Sequence, residues 1–452
     1  MKRITIAALL SLIATPALAV PRVPRGELHE IQHPPAEPPT ACVATDAARA
    51  DALTRMAKIA AFEKTMQVAD ACAGDADVID AGVEDGSVPL CNLGGIIEVE
   101  SGPGHDIIES DNSHEAVWDW SHLRIASGVT DYQGTTDLAF IYLNRNPGWL
   151  EWQDTTDGKP DYYSLYNCGW GVRAVLEYEA ATHDMSHHDY GVQCAAHIRD
   201  NGLAIAKSNV NLIEQGTAAW AASGLWLWGN ASGSASDKAT AATIGAELKA
   251  WLDAAPARAA STTWAISGGA VFYGVVNSYM KEHPDELTPW VTTMAPHLGG
   301  WIDESHPTTK DWTDWRNAWN EWNMLAQFSA ANSLGCASDD SHVQIALTIY
   351  ENLVAQDTDD DGAIGGSAQR PATEDQSWIT SYLAYFGVQQ VLALDAPPDG
   401  GTPGADAGAP MMMASSGCSV GAHAGSTDLL AALCAIGWLA FACARRRRST
   451  GV

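Results

Sequence analysis

The sequence is short of basic residues. Lysine and arginine together number 25 against 55 aspartates and glutamates, so the 452-residue chain has a formal net charge of −30 at pH 7. Such a chain repels phosphate backbones and anionic lipid surfaces, which argues against nucleic acid as a partner and favours cations. No pair of cysteines has CxxC spacing, which argues against a zinc cluster. Alternating strand patterns are also few, so the sequence predicts a helical protein.

The C-terminal tail, residues 417–452, is a membrane-sorting candidate. Gly417, Cys418 and Ser419 precede an apolar run over residues 429–444, and four arginines follow it. A run of this length reaches across a bilayer as a helix, and the arginines keep its end in the cytoplasm. The combination resembles the MYXO-CTERM surface-sorting tail of myxobacteria and their relatives. This resemblance implies that a membrane protease cuts near Cys418 and delivers the body to the cell surface; an ordinary C-terminal membrane anchor is the alternative.

The N-terminus agrees with export. Residues 1–19 combine two basic residues, an apolar run and a small-x-small site, which is typical of a signal peptide. Proline-rich residues 20–41 and the Gly/Pro/Asp-rich residues 396–416 are predicted linkers, which leaves a body over residues 42–395. We expect this body at the cell surface or outer membrane, held by the C-terminal helix before processing or released after it.

The nine cysteines divide into two groups. Cys418 belongs to the sorting motif, and two more lie in the predicted membrane helix. The even set of six that remains favours up to three disulfides in an exported chain, and their pairing is open. The six are Cys42, Cys72, Cys91, Cys168, Cys194 and Cys336.

Helical periodicity recurs twelve times in the body. One set is rich in Ala and Leu and polar on its outer side, near residues 44–72, 131–146, 186–201, 236–254, 284–297 and 338–355. The other is rich in Gly, Ala and Trp, near residues 112–127, 163–182, 215–229, 263–280, 313–330 and 375–394. Two helices per period of about 50 residues indicate six repeated helical hairpins. Small and aromatic residues in the second set favour a closed ring over an open solenoid.

This pattern resembles the (α/α)6 toroid of the six-hairpin glycosidases and related polysaccharide lyases. The predicted fold is therefore all-α, with the Gly/Ala/Trp-rich helices on the inside. The resemblance concerns the fold and includes no diagnostic catalytic motif, so it predicts the function only weakly.

Polar and aromatic side chains lie at the starts of the predicted inner helices. If the helices alternate in direction, these starts meet at one crevice, where carboxylates and indoles together suit a sugar. Capping of the helices is the simpler explanation for any single acid. The candidate catalytic residues are Glu115 and Asp375, then Asp111 and Glu214, and the candidate substrate-binding residues are Tyr162, Asn167, Trp312, Asn317 and Trp378.

Three tryptophans form a stripe on the fifth inner helix. Trp315, Trp319 and Trp322 follow helical spacing along one face. Such a stripe is more often core than ligand platform, so we expect Trp319 and Trp322 in the core, and Trp312 and Trp378 at the crevice.

A metal loop is predicted near the end of the body. Asp357, Asp359 and Asp361 precede a glycine, as in the first half of a D-x-D-x-D-G calcium loop. The carbonyl of Ala363 would be a further ligand. Because Ala368 replaces the usual glutamate of the twelfth position, another carboxylate is needed, for which Glu374 and Asp375 are the candidates. The alternative is a solvated acidic turn.

The sequence therefore predicts a surface carbohydrate-active protein with an extracellular glycan as its partner, by preference a glycoside hydrolase. A non-catalytic binding or structural module is the alternative from a different class. A polysaccharide lyase is a further alternative, which would need cations for a uronate; only Arg173 and Arg316 stand near the predicted helix starts.

Overall fold

A computed structural model of the chain describes residues 46–69, 92–105, 107–150, 162–208, 211–307, 314–335 and 341–394. The predicted signal peptide, both linkers, the tail with Cys418, and Trp312 lie outside these residues. Within them, no helix combines the length and the hydropathy that crossing a bilayer requires, and the predicted span 429–444 falls outside.

The described residues are mostly helical. One set of helices forms the outer layer: α1 (Asp46–Thr65), α3 (Gln133–Arg145), α5 (His188–Ser208), α7 (Ala235–Asp253), α10 (Pro284–Met294) and α12 (Ser341–Val354). The other set forms the inner layer: α2 (Ser110–Ser127), α4 (Tyr162–Thr182), α6 (Leu212–Ser232), α8 (Gly268–Val276), α11 (Arg316–Leu334) and α13 (Ser377–Tyr382). A short α9 (Tyr279–Glu282) follows α8, and a π-helical segment (Leu383–Val388) and α14 (Gln389–Ala393) continue α13. Each predicted helical segment corresponds to one of these helices.

The inner helices form a closed ring. Along the chain each inner helix packs against the next, and α13 packs back against α2. The outer α1 also contacts α14 and the π-helical segment, so the first hairpin lies against the last. Backbone hydrogen bonds strengthen this junction, since Glu100 donates to the carbonyl of Asp375 (2.9 Å) and Ser377 donates to that of Glu98 (2.9 Å). The closed form, rather than an open solenoid, is the architecture of the described residues.

Glycines explain how the inner helices approach so closely. A Cβ atom on Gly274 of α8 would lie 2.6 Å from the backbone oxygen of Ala219 on α6, and one on Gly169 of α4 would lie 2.6 Å from Cδ1 of Trp220. These contacts are shorter than packed side chains tolerate. The small residues that the sequence places in the inner set are therefore needed for ring closure, and the large indoles fill the space that remains.

Two short hairpins lead into inner helices. Strands β1 (Ile96–Ile97) and β2 (Ile108–Glu109) pair antiparallel, with Ile96 opposite Glu109, and β2 runs directly into α2. Strands β3 (Thr262–Thr263) and β4 (Ile266–Ser267) pair in the same way just before α8. Both hairpins therefore fix the chain immediately ahead of an inner helix, at the same end of the ring.

Two of the six body cysteines are described. Cys168 of α4 and Cys194 of α5 are buried free thiols that contact each other. The disulfide prediction for Cys42, Cys72, Cys91 and Cys336 lies outside the described residues.

Candidate active site

All six inner helices contribute to one crevice at the end of the ring where they begin. The space within its lining, including the part open to solvent, is about 530 Å³. Each inner helix supplies side chains from its first turns or from the residues just before it, as the alternation of helices predicted. The lining residues are Glu109, Asp111, Asn112, Tyr163, Tyr166, Ile213, Thr217, Trp264, Ala265, Ile266, Trp315, Trp322, Trp378 and Tyr382.

Two carboxyl groups form the acidic wall of this crevice. Glu109 ends β2 as the N-cap residue of α2, and Asp111 lies in the first turn of α2. The hydroxyl oxygen of Tyr163 lies 2.5 Å from Oε2 of Glu109 and 3.0 Å from Oδ2 of Asp111. Because both oxygens contact the same atom, they are at most about 5.5 Å apart, which is closer than the roughly 6.5–9.5 Å of the carboxyl pair in inverting glycosidases.

Burial changes the acidity of Asp111. Removal from water raises the pKa of this carboxyl to about 6, although hydrogen bonds from Tyr163 and from the backbone N–H of Asn112 oppose the rise. Asp111 therefore keeps its proton in mildly acidic solution and still releases it near neutrality. A carboxyl of that acidity suits a general acid that must later act as a base.

A tyrosine pair separates Glu115 from the crevice. The hydroxyl groups of Tyr166 and Tyr382 are hydrogen-bonded to each other, and both rings line the crevice. Tyr166 also donates to Oε1 of Glu115 at 3.1 Å. Glu115 is fully buried, and desolvation followed by the charge of Asp111 raises its pKa well above the usual range. This candidate acid thus lies behind the crevice wall, where it can orient Tyr166.

Another part of the crevice lining consists of three indoles, from the β3–β4 turn, the start of α11, and α13. The rings of Trp264 and Trp315 have centroids 5.8 Å apart, and those of Trp315 and Trp378 are 5.5 Å apart. Trp264 sits in the β3–β4 turn with φ of 44°, a backbone conformation that is unfavourable for a bulky residue. Strain of this kind persists where the surrounding structure holds a side chain in place, often at a binding site. Apolar ring faces in a row are suited to sugar rings.

Two buried donors of the crevice residues lack a hydrogen-bond partner. Among the described residues, Nδ2 of Asn112 and Nε1 of Trp322 are both inaccessible and unpaired. Buried N–H groups are normally hydrogen-bonded, to protein or to ordered water, so water molecules are expected beside these two donors. Trp322 was expected in the core; it is buried, but it also forms part of the crevice wall.

The other predicted crevice residues have separate structural roles. Glu214 accepts a hydrogen bond from the hydroxyl of Ser208, and its backbone N–H is capped by Asn211 (2.9 Å). Asn317 donates to the side chain of Gln356 (2.7 Å) and to the carbonyl of Gly365 (2.7 Å), which ties α11 to the following loop.

Two more predicted substrate-binding residues also lie away from the crevice wall. Asn167 is buried in α4, where its Cβ is close to Gly148, and half-buried Tyr162 begins that helix. Neither is among the described lining residues. Of the predicted site residues that the structure describes, Asp111 and Trp378 are the ones that line the crevice.

Asp375 belongs to the acidic loop instead. Carboxyl oxygens of Asp357, Asp359 and Asp361 lie within 4.8 Å of one another. Burial first, and then the charge of Asp361 and its neighbours, raises the pKa of Asp375 to about 9. Asp375 is not among the described residues that line the crevice, and the loop aspartates are among the charges that raise its pKa.

Several crevice residues were missed in the sequence, although their spacing carries a signal. Glu109 stands immediately before the inner helix that carries Asp111, a helix-start position like those of the other candidates. Tyr166 is three residues after Tyr163, and Tyr382 is four residues after Trp378, which are same-face spacings in a helix. The strand of Glu109 has only two residues, too few to show a pattern.

Comparison with known proteins finds a similar fold in a solved structure but no similar sequence. No protein-family profile matches the chain, and no curated protein matches its sequence. A solved structure of an inactive variant of the α-1,6-mannanase GH76A of Salegentibacter sp. HEL1_6, in complex with α-1,6-mannotriose, is similar with a TM-score of 0.47 and 11% identity. The match covers 76% of this chain and 99% of that one. The identity is too low for residues of the two chains to be equated.

Proposed function

We propose that this protein is a glycoside hydrolase whose catalytic pair is Asp111 and Glu109. The observation that carries the proposal is the placement of two carboxyl groups about 5.5 Å apart or closer, together with a row of indoles, in a crevice built by all six inner helices. Acid, nucleophile and sugar platform are then within reach of one bound saccharide.

The chemistry follows from the two environments. Asp111, protonated below its pKa of about 6, donates its proton to the glycosidic oxygen as the bond to the anomeric carbon breaks. The half-buried Glu109 attacks the anomeric carbon from the other side and forms a glycosyl ester. Asp111, now ionised, takes a proton from the water that hydrolyses this ester, and the sugar leaves with its anomeric configuration retained. Tyr163 holds both carboxyls in position.

The charge of the crevice favours a neutral glycan. No lysine, arginine or histidine is among the described residues that line it. Arg173 is buried, with its guanidinium 3.4 Å above the ring of Trp220, and Arg316 pairs with Asp314. A lyase that acts on uronates needs positive charge or a metal near the sugar carboxylate, so this alternative is weaker.

A base for the lyase reaction is also poorly provided. His114 is fully buried, and its Nε2 lies 2.7 Å from the hydroxyl of Tyr190. Burial lowers the pKa of His114 to about 3. His114 is not among the described residues that line the crevice. Tyr163 does line it, but its hydroxyl group is already in contact with both carboxyl groups.

A panel of neutral and acidic polysaccharides, incubated with the full-length protein, tests the proposal. We expect reducing ends to appear with at least one neutral glycan. Binding to a glycan without any release of reducing ends would identify the non-catalytic module instead. Unsaturated products absorbing in the ultraviolet, formed from a uronate, would identify the lyase.

We further propose that the body works outside the cell. The signal-peptide pattern of residues 1–19 and the sorting pattern of residues 417–452 support this location. Mass spectrometry of the protein recovered from its native cells is expected to find a new N-terminus after Ala19 and a C-terminus near Cys418. An intact chain in the cytoplasm would contradict export.

A further inference from the structure

We propose that the acidic loop binds one calcium ion through Asp357, Asp359, Asp361 and Asp375, and that this ion fastens the last hairpin of the ring to the first. The site is distinct from the crevice and does not depend on the hydrolase function.

The loop has the geometry of a small oxygen cage. Its three aspartates supply carboxyl oxygens within 4.8 Å of one another. Calcium–oxygen bonds are 2.3–2.6 Å long, so ligands on opposite sides of the ion are roughly 5 Å apart. The backbone is already folded for this arrangement, since Asp357 accepts hydrogen bonds from the N–H groups of Asp361 (3.2 Å) and Gly362 (3.0 Å). Gly362 has φ of 101°, the tight-turn conformation that glycine allows.

Asp375 provides an independent indication of a cation. It comes from a different part of the chain, its side chain is 4% exposed, and its Oδ2 is buried without a hydrogen-bond partner. The next residue, Gln376, donates its backbone N–H to the carbonyl of Ile364 (3.1 Å), which brings Asp375 beside the loop. A buried carboxylate among like charges is costly unless a cation compensates it.

Basic residues nearby pair with some of these carboxyl groups, but Asp361 and Asp375 have no basic partner among the described residues. Arg55 and Lys58 of α1 pair with Asp357 and Asp360, and Arg370 pairs with Glu374 at 2.8 Å. Among the described residues, no lysine or arginine forms an ion pair with Asp361 or Asp375. A divalent ion supplies the missing charge, and carboxylate ligands on an adaptable loop favour calcium over magnesium, which requires a stricter octahedron.

The ion would join three segments. Arg55 and Lys58 connect the loop to α1, while Asp375 lies two residues before α13 and its carbonyl accepts from Glu100. These contacts belong to the junction between the first and last hairpins. Calcium is thus expected to stabilise ring closure, and to hold Trp378, three residues after Asp375, at the crevice.

Isothermal titration calorimetry tests this site. The full-length protein is first treated with chelator and is then titrated with CaCl₂ and, separately, with MgCl₂. We expect one calcium per chain, weaker binding of magnesium, and a higher melting temperature with calcium. Asp375→Asn is expected to weaken calcium binding at least about tenfold, because it removes one charged ligand. The matched control is Glu374→Gln, which loses the same charge one residue away and is expected to bind within twofold of wild type.

Circular dichroism establishes that each variant is folded. If Asp375→Asn fails this check, Asp361→Asn takes its place with the same expected loss. The proposal is overturned if folded wild-type protein shows neither binding heat nor a melting shift with calcium. Wild-type affinity in Asp375→Asn or Asp361→Asn, or an equal loss in Glu374→Gln, would also overturn it.

Discussion

If Asp111 is the general acid, as proposed, its carboxyl group sets the pH range in which the hydrolase works. Its pKa is raised to about 6 by burial, and a general acid acts only while it holds its proton. We therefore expect kcat/KM on the susceptible glycan to fall as the pH rises above about 6. A pH profile from 4 to 9 measures this, and activity that stays constant up to pH 9 would exclude Asp111 as the acid.

Buried acids also make stability depend on pH. Glu115 and Asp119 lie one and two helical turns after Asp111 on α2, and Glu63 of α1 faces Asp119, with Ser381 hydrogen-bonded to both. Desolvation raises the pKa of Glu63, Glu115 and Asp119 well above the usual range. Groups with raised pKa stabilise the fold while protonated, and this contribution is lost as the pH rises through the folded-state pKa.

Replacing one of these acids should reduce the pH dependence. We expect the melting temperature of wild type to fall from pH 5 towards pH 9, and Glu115→Gln, which stays neutral, to show a shallower decline. The exposed Glu247→Gln on α7 is the control and should follow wild type. Equal slopes for wild type and Glu115→Gln in scanning calorimetry would show that Glu115 is not held neutral by burial.

The row of indoles contributed by the β3–β4 turn, α11 and α13 should bind the sugar. Trp315 is half-buried at the centre of this row, between Trp264 and Trp378. We expect Trp315→Ala to weaken oligosaccharide binding about tenfold, a loss of about 1.4 kcal/mol. Trp251→Ala is the matched control, because Trp251 is equally half-buried but lies on the outer α7. Unchanged affinity of Trp315→Ala in calorimetry would remove the indole row from the site.

Helices α4 and α5 carry a pair of thiols suited to oxidation. Cys168 and Cys194 are buried and in contact, and an exported chain folds under oxidising conditions. We expect an intramolecular disulfide between them in protein isolated from outside the cell. Peptide mapping without reducing agent detects it, with Cys168→Ser as the control that lacks the linked peptide. Two alkylatable thiols in the exported protein would contradict this pairing.

Sequence patterns predict the elements better than the individual site residues. Packing between neighbouring helices repeats in every hairpin, and it requires apolar residues at helical spacing and small residues such as Gly274 and Gly169 at close contacts. Six hairpins and their closure were therefore predictable. The direction of a side chain at a helix start depends on its neighbours instead. Glu214 points to Ser208, and Asp375 faces a loop that the hairpin period does not describe.

At the scale of the whole molecule, ring closure is what turns six separate helix starts into one site. No single hairpin holds an acid, a second carboxylate and a row of indoles. The closed ring brings them together from the start of α2, the β3–β4 turn, the start of α11, and α13. The acidic loop lies at the junction where the ring closes, so stability of the junction and order of the crevice are linked in this fold.

The central claim is tested most directly by measuring the release of reducing ends by Asp111→Asn. Wild type and Glu214→Gln are measured beside it, on the glycan that wild type degrades. Both variants replace an acid at an inner-helix start, but only Asp111 faces the crevice. We predict that Asp111→Asn lowers kcat/KM by about 10²- to 10⁴-fold, as expected for loss of a general acid, while Glu214→Gln stays within a few-fold of wild type. Wild-type turnover by a folded Asp111→Asn protein would contradict the account.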